Sequence, residues 1–331
     1  LQIGTAAAAT NEWTRAGVGL DAAVNVVQFH AGRPDTLFAG AVNGFYRSGD
    51  GGLSWQPSGA NLVDRSVLSL AVDPERPTQL YAGLNSGFFA SADGGRQWVV
   101  APAIGAGVLA VSAGAAGRVY AGTFGQGVHV SLDRGATWNS AGQALETDII
   151  FALAAHPLEA ATVYAGTGRG LFVSRDAGAN WQAVAALEGQ SVRSVFLPSQ
   201  ASSAGLVLVG TFGGGVYISE DRGQTWRAGK SGLKDLNVRA VAADPDVPQL
   251  FYAATSTSGF YRSKDGGQSW AAINSGLTNL SSRWIGIVAG DGKRVLGSTS
   301  GKGVFSIDFT PEAHIRFSSK EVNLVPLPSM R

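Results

Sequence analysis

Cysteine is absent from the 331 residues, and methionine occurs once. Without thiols there is no disulfide, no thiolate metal site and no cysteine nucleophile, and the chain suits either redox compartment. Charge is sparse: ionised side chains make up 15% of the sequence, 25 basic against 24 acidic. A formal charge of +1 lacks the basic excess of nucleic-acid binders, so no nucleic-acid partner is expected. No apolar run approaches the roughly 20 residues of a membrane-spanning helix, so no transmembrane segment is expected. Phosphate loop, nucleophile elbow and dinucleotide fingerprint are all missing. His30, His129, His156 and His314 show no ligand spacing, so neither a metal nor a cofactor is expected.

What the chain has in excess is glycine, 46 residues, about twice the usual ~7%. Glycine at that level means either disorder or a repeated turn, and the repeats decide which. Six segments share the pattern Ser-x-Asp-x-Gly-x-x-Trp: Ser48 to Trp55, Ser91 to Trp98, Ser131 to Trp138, Ser174 to Trp181, Ser219 to Trp226 and Ser263 to Trp270. Their tryptophans are spaced by 43, 40, 43, 45 and 44 residues.

Each period reads as short strands. In the sixth, Val238 to Ala243 is an apolar run stopped by Asp244-Pro245, followed by runs at Leu250 to Ala254 and Gly259 to Ser263 and a segment around Trp270. Four strands per ~40–45 residues is the signature of a propeller blade. After Trp270 come strands at Trp284 to Ala289, Arg294 to Ser298 and Gly303 to Asp308, but no fourth. Trp13, 42 residues before Trp55, is in phase as a fourth strand without a blade. The sequence therefore predicts an all-β, seven-bladed propeller of four-stranded blades, closed by an N-terminal strand that completes the last blade. Residues 12–309 form the propeller, 1–11 an alanine-rich N-terminal linker and 310–331 a C-terminal tail. Within the tail, the pieces at 315–317 and 322–325 are candidate extra strands or a docking strap, with an ordinary ragged terminus as the alternative.

The six segments resemble the Asp-box, or BNR repeat, of sialidases, secreted glycosidases, sorting receptors and photosystem assembly factors. The resemblance covers residues 13 to 308 and is specific for fold, not function, because its owners differ so widely. It assigns Asp50, Asp93, Asp133, Asp176, Asp221, Asp265 and, in the degenerate last copy, Asp308 as structural Asp-box residues. Physically, the aspartate accepts backbone N–H bonds across a tight turn, the glycine supplies positive φ and the tryptophan staples the hairpin. Near-identical copies build cores rather than sites, so none of these residues is assigned a catalytic role.

In the families resembled, ligands bind on the opposite face, where blade-to-blade crossings end. Aligned first strands put Asn25, Leu68, Leu109, Phe151, Arg193, Arg239 and Ile285 at one level, with Arg283 two residues before Ile285. Arg193, Arg239 and Arg283 make a candidate site for a carboxylate, phosphate or sulfate. The alternative is that they pair with Asp235, Glu188 and Asp148 on neighbouring loops, or simply face solvent. Trp284, Phe124, Phe212 and Arg65 are candidates for a partner- or glycan-binding surface. Phe124 and Phe212 sit in glycine-rich turns that either present them outward or fold them onto the core.

No catalytic set assembles. The seven tyrosines all lie at repeated strand positions and read as packing, which leaves a sialidase without its nucleophile. An inverting glycosidase needs two carboxyl groups ~6.5–9.5 Å apart. The candidates Asp21, Asp64, Glu146, Asp148, Glu188 and Asp235 have no spacing that pairs them. The resulting expectation is a non-catalytic, extracytoplasmic scaffold of bacterial type, periplasmic or secreted, that binds a protein partner. The resemblance implies an accessory or assembly factor of a membrane complex, including photosynthetic ones. A glycoside hydrolase or glycan-binding propeller using the same mouth is the alternative.

Overall fold

The computed structural model describes residues 11–30, 32–101, 104–288, 294–301 and 303–309. Readings that fall on 1–10 and on the 310–331 tail, including the extra-strand pieces, lie outside the described residues. The described chain forms seven four-stranded antiparallel sheets. Blade 1 consists of Val24–Phe29, Leu37–Ala41, Gly44–Ser48 and Gln56–Ser58, innermost to outermost. The innermost strands of blades 2 to 7 are Val67–Val72, Val108–Ala113, Ile150–Ala155, Ser191–Phe196, Val238–Ala243 and Ser282–Ile287.

The closing strand is where the spacing of Trp13 places it. Thr14–Ala16 pairs with Val304–Asp308, Thr14 opposite Ser306 and Ala16 opposite Val304. Blade 7 is thereby assembled from both ends of the chain, and no strand edge is left open at the seam.

The repeated turn folds as a small polar knot. In blade 4, Ser174 Oγ donates to Asp176 Oδ1 (2.7 Å) and accepts from the Gly178 amide (2.8 Å). The same carboxylate oxygen accepts the Asn180 amide at 2.8 Å. The turn needs two successive left-handed residues. In blade 4 these are Ala177 (φ 60) and Gly178 (φ 95), whereas blade 1 uses Gly51 and Gly52 for both. Left-handed backbone costs an alanine about 1–2 kcal/mol, partly offset because glycine is freer in the unfolded chain. Ala177→Gly is therefore expected to raise stability by about 0.5–1 kcal/mol, read as an increase in thermal midpoint.

The tryptophans do more than staple their own hairpins. Trp98 meets Phe45 of the preceding blade edge-on at 5.0 Å, Trp138 meets Phe88 at 4.5 Å and Trp13 meets Phe260 at 4.6 Å. Trp55 lies in one cluster with Leu296 and Val304 of blade 7. Each of these rings thus bridges to the blade before its own. The inner layers are equally tight. A Cβ on Gly166 would lie 2.6 Å from Val192 Cγ1 of the next blade, and one on Gly122 2.5 Å from Ile150 Cγ2. Blade 6 has Ala254 at the matching register, and there the next blade offers Ser282 in place of valine or isoleucine.

Candidate functional site

Every innermost strand carries an irregularity after its first residues, recorded as a skipped position in the pairing with the second strand. In blade 1 Val24 and Val26 pair with consecutive partners and Asn25 is left over. The extra residues of the next five blades are Leu68, Leu109, Phe151, Arg193 and Arg239. In blade 7 Ser282 pairs with Thr299 and Trp284 with Ser298, so the extra residue is Arg283. The alignment that placed Ile285 at this level is therefore corrected: Arg283 is the true equivalent of Arg193 and Arg239. The error arose because the apolar run begins at Trp284, while the strand itself begins at the polar Ser282. A bulge of this kind re-aims one side chain away from the ladder. Here seven such residues ring the end of the barrel where the second-to-third turns lie.

The ring is two-faced. Leu68, Leu109 and Phe151 form an apolar arc, and Arg193, Arg239, Arg283 and Asn25 a polar one. Arg239 Nε donates to Ser256 Oγ and Arg283 Nε to Ser300 Oγ, each at 2.9 Å. Arg283 Nη1 also donates to Asn25 Oδ1 at 2.6 Å, and Asn25 in turn donates to the Val67 carbonyl at 2.9 Å. Arg193 is held differently, with its guanidinium carbon 3.7 Å from the centre of the Phe151 ring and 5.5 Å from that of Phe212. Its Nε is buried without an acceptor.

The charge of Arg239 is felt by the arginines on either side of it. Burial and, after it, the charge of Arg239 push both Arg193 and Arg283 below the ordinary arginine range. No carboxylate pairs with any of them among the described residues. Two acids proposed as partners are engaged elsewhere: Asp148 is forked by Arg169 at 2.7 Å, and Asp235 accepts the amide and hydroxyl of Thr257, each at 2.8 Å. Burial works against the Asp235 charge, but these bonds and the Asn237 amide hold its carboxyl below the usual range. Asp21, another mouth candidate, pairs with Arg15.

The remaining candidates fall in different places. Phe124 and Phe212 point outward, 64% and 54% exposed. Trp284 is half-buried and packs toward Phe29 of blade 1, ring centres 6.1 Å apart. Arg65 stays on its own blade, 5.9 Å over Phe89. Six aspartates occupy the repeated turns at the far end, whereas Asp308 lies within a strand and pairs with Arg294 at 3.3 Å. Burial pushes the Tyr81 and Tyr252 phenols up, which keeps them neutral.

Sequence reasoning missed Asn25, Phe151, Ser256 and Ser300 as supporting residues. A signal existed for the serines: each lies 17 residues beyond the arginine it holds, directly after the threonine that closes the second strand.

The far-end turns give the fold an acid limit. Hydrogen bonds from the side chains of Thr137, Asn180 and Thr225, and from the amides of the same residues, lower Asp133, Asp176 and Asp221 to about 2. Their unfolded values lie at about 3.9, so this contribution is complete above that pH and disappears as pH falls through about 2. Thermal midpoints are expected to hold their level down to about pH 4 and then drop, with the slope reduced in Asp176→Asn.

No protein-family profile and no curated protein matches the chain. Among solved structures, the GH74 enzyme of Niastella koreensis superposes with a TM-score of 0.72 at 19% identity, covering 89% of this chain and 53% of that one. The chain thus spans about half the length of that enzyme. YCF48 bound to a D1 peptide superposes with a TM-score of 0.67 at 17% identity, over 90% of this chain and 97% of that one. The extracellular domain of a hybrid two-component system from B. thetaiotaomicron gives 0.69 at 15% identity, over 90% of this chain and 40% of that one. Likeness at these identities establishes the shared propeller fold.

Proposed function

We propose that this chain is a non-catalytic, extracytoplasmic propeller that holds a protein partner against the bulge-ring mouth, as an accessory or assembly subunit of a membrane complex. The observation that carries this reading is the set of three arginines on consecutive blades with no acid to neutralise them among the described residues, beside the outward Phe212. Arginine and aromatic side chains at the centre of a face are the usual anchors of protein interfaces. Phe124 and the 38% exposed Leu280 extend an apolar rim around them. The capture of a peptide by YCF48 and the extracellular placement of another propeller of this shape support the same reading.

A glycan-cleaving role draws support from the GH74 likeness, but three of its six candidate acids, Asp148, Asp235 and Asp21, are tied into ion pairs and turns. The two readings separate by affinity capture from the native source. Wild type is expected to retain a specific protein that Arg239→Glu loses. Hydrolysis of xyloglucan that disappears on mutation of one mouth carboxylate would reverse the assignment.

A further inference from the structure

The arginine arc has a coordination geometry that restricts what it can bind. Arg239 and Arg283 each commit Nε to a serine of their own blade, Arg193 has its Nε buried, and one Nη of Arg283 is taken by Asn25. Left without a protein acceptor among the described residues are both Nη of Arg193, both Nη of Arg239 and one Nη of Arg283. These donors come from the same bulge position on three consecutive blades. A carboxylate has two oxygens that can accept from more than one guanidinium, but it brings only one negative charge. A phosphomonoester has three terminal oxygens and close to two charges at neutral pH, one oxygen for each guanidinium. Three arginines that no carboxylate pairs with among the described residues also gain more from a dianion than from a monoanion.

Resting on the partner-binding reading above, we propose that the bulge ring takes a phosphomonoester dianion presented by the partner protein, with Arg193, Arg239 and Arg283 each meeting one terminal oxygen. The apolar arc of Leu68, Leu109 and Phe151 then accepts the carbon side of the group. The Phe151–Arg193–Phe212 stack fixes one guanidinium plane, and Ser256 and Ser300 fix the other two.

The test is calorimetric titration of the full chain with phenyl phosphate, phenyl sulfate and benzoate, three probes sharing one ring and differing in the anion. Phenyl phosphate is expected to bind about tenfold or more tighter than either monoanion. Because its second proton leaves at about pH 6, its affinity is expected to fall about threefold or more between about pH 7.5 and about pH 5.5, while the monoanions stay level. Arg239→Gln should abolish the preference. Ser256→Ala, which keeps the charge but frees the side chain, should weaken phenyl phosphate about three- to tenfold. Near-UV circular dichroism reports that both variants remain folded. Equal binding of the three probes, or an affinity for phenyl phosphate that ignores pH, overturns the phosphomonoester assignment. Partner capture separates the two layers of the argument. Capture lost after phosphatase treatment of the partner supports the phosphomonoester, whereas capture that survives treatment but fails in Arg239→Glu removes it and leaves the partner-binding reading standing.

Discussion

Trp55→Ala is expected to destabilise the propeller by about 3–5 kcal/mol, the usual cost of emptying a fully buried tryptophan site. The ring is completely buried, and its Nε1 donates to the Gly52 carbonyl at 3.1 Å inside its own turn. It also lies at the seam: its amide donates to Val18 at 2.8 Å, and its cluster joins Leu20, Val24 and Leu37 to Leu296 and Val304. The substitution therefore loosens the contact between the first and last blades as well as one hairpin. Trp226, at the same place in blade 5, is only partly buried, and Trp226→Ala should cost clearly less. Chemical denaturation of the two variants checks both the size and the order. A Trp55→Ala loss no larger than that of Trp226→Ala would refute burial as the source of the difference.

Arg239→Glu is expected to lower the affinity for the partner about a hundredfold, in the range measured when one member of a desolvated charge pair is lost. Arg239 is the arginine whose charge both Arg193 and Arg283 feel. A glutamate there would neutralise its two neighbours internally as well as removing one donor. Arg239 is exposed on its strand, so stability should change by no more than about 0.5 kcal/mol. Surface plasmon resonance against the captured partner, at two salt concentrations, measures the effect. An affinity unchanged by the reversal would move the interface away from the mouth.

The fold was legible because its information is repeated. Six copies of Ser-x-Asp-x-Gly-x-x-Trp fix the phase of six blades, and the lone Trp13 in the same phase supplies the seventh and reveals the closure. The site was legible only in part, because its residues are those that depart from the repeat. Arg193 and Arg239 stood out against Leu68 and Leu109 in equivalent strands. Arg283 was misaligned, since a bulge shifts register without changing the apolar pattern on which an alignment depends. Phe151 shares the level of the arginines in the sequence, but only the fold brings its ring against Arg193. Ser256 and Ser300 follow directly after the second strands, and their constant 17-residue offset from Arg239 and Arg283 gains meaning only once pairing sets strand ends beside the bulge. The tryptophans show the same limit: their role across blades follows from which neighbour each ring meets.

The closing strand also sets how the molecule answers mechanical load. Thr14 pairs with Ser306 and Ala16 with Val304, and the Asn11 amide reaches the Asp308 carbonyl at 3.4 Å. The chain therefore enters and leaves the seam at the same end of that ladder. Tension between the two exits peels the pair open one hydrogen bond at a time instead of shearing all of its bonds together. The clasp therefore yields more readily to a pull that separates Asn11 from Asp308 than to one along the strand direction.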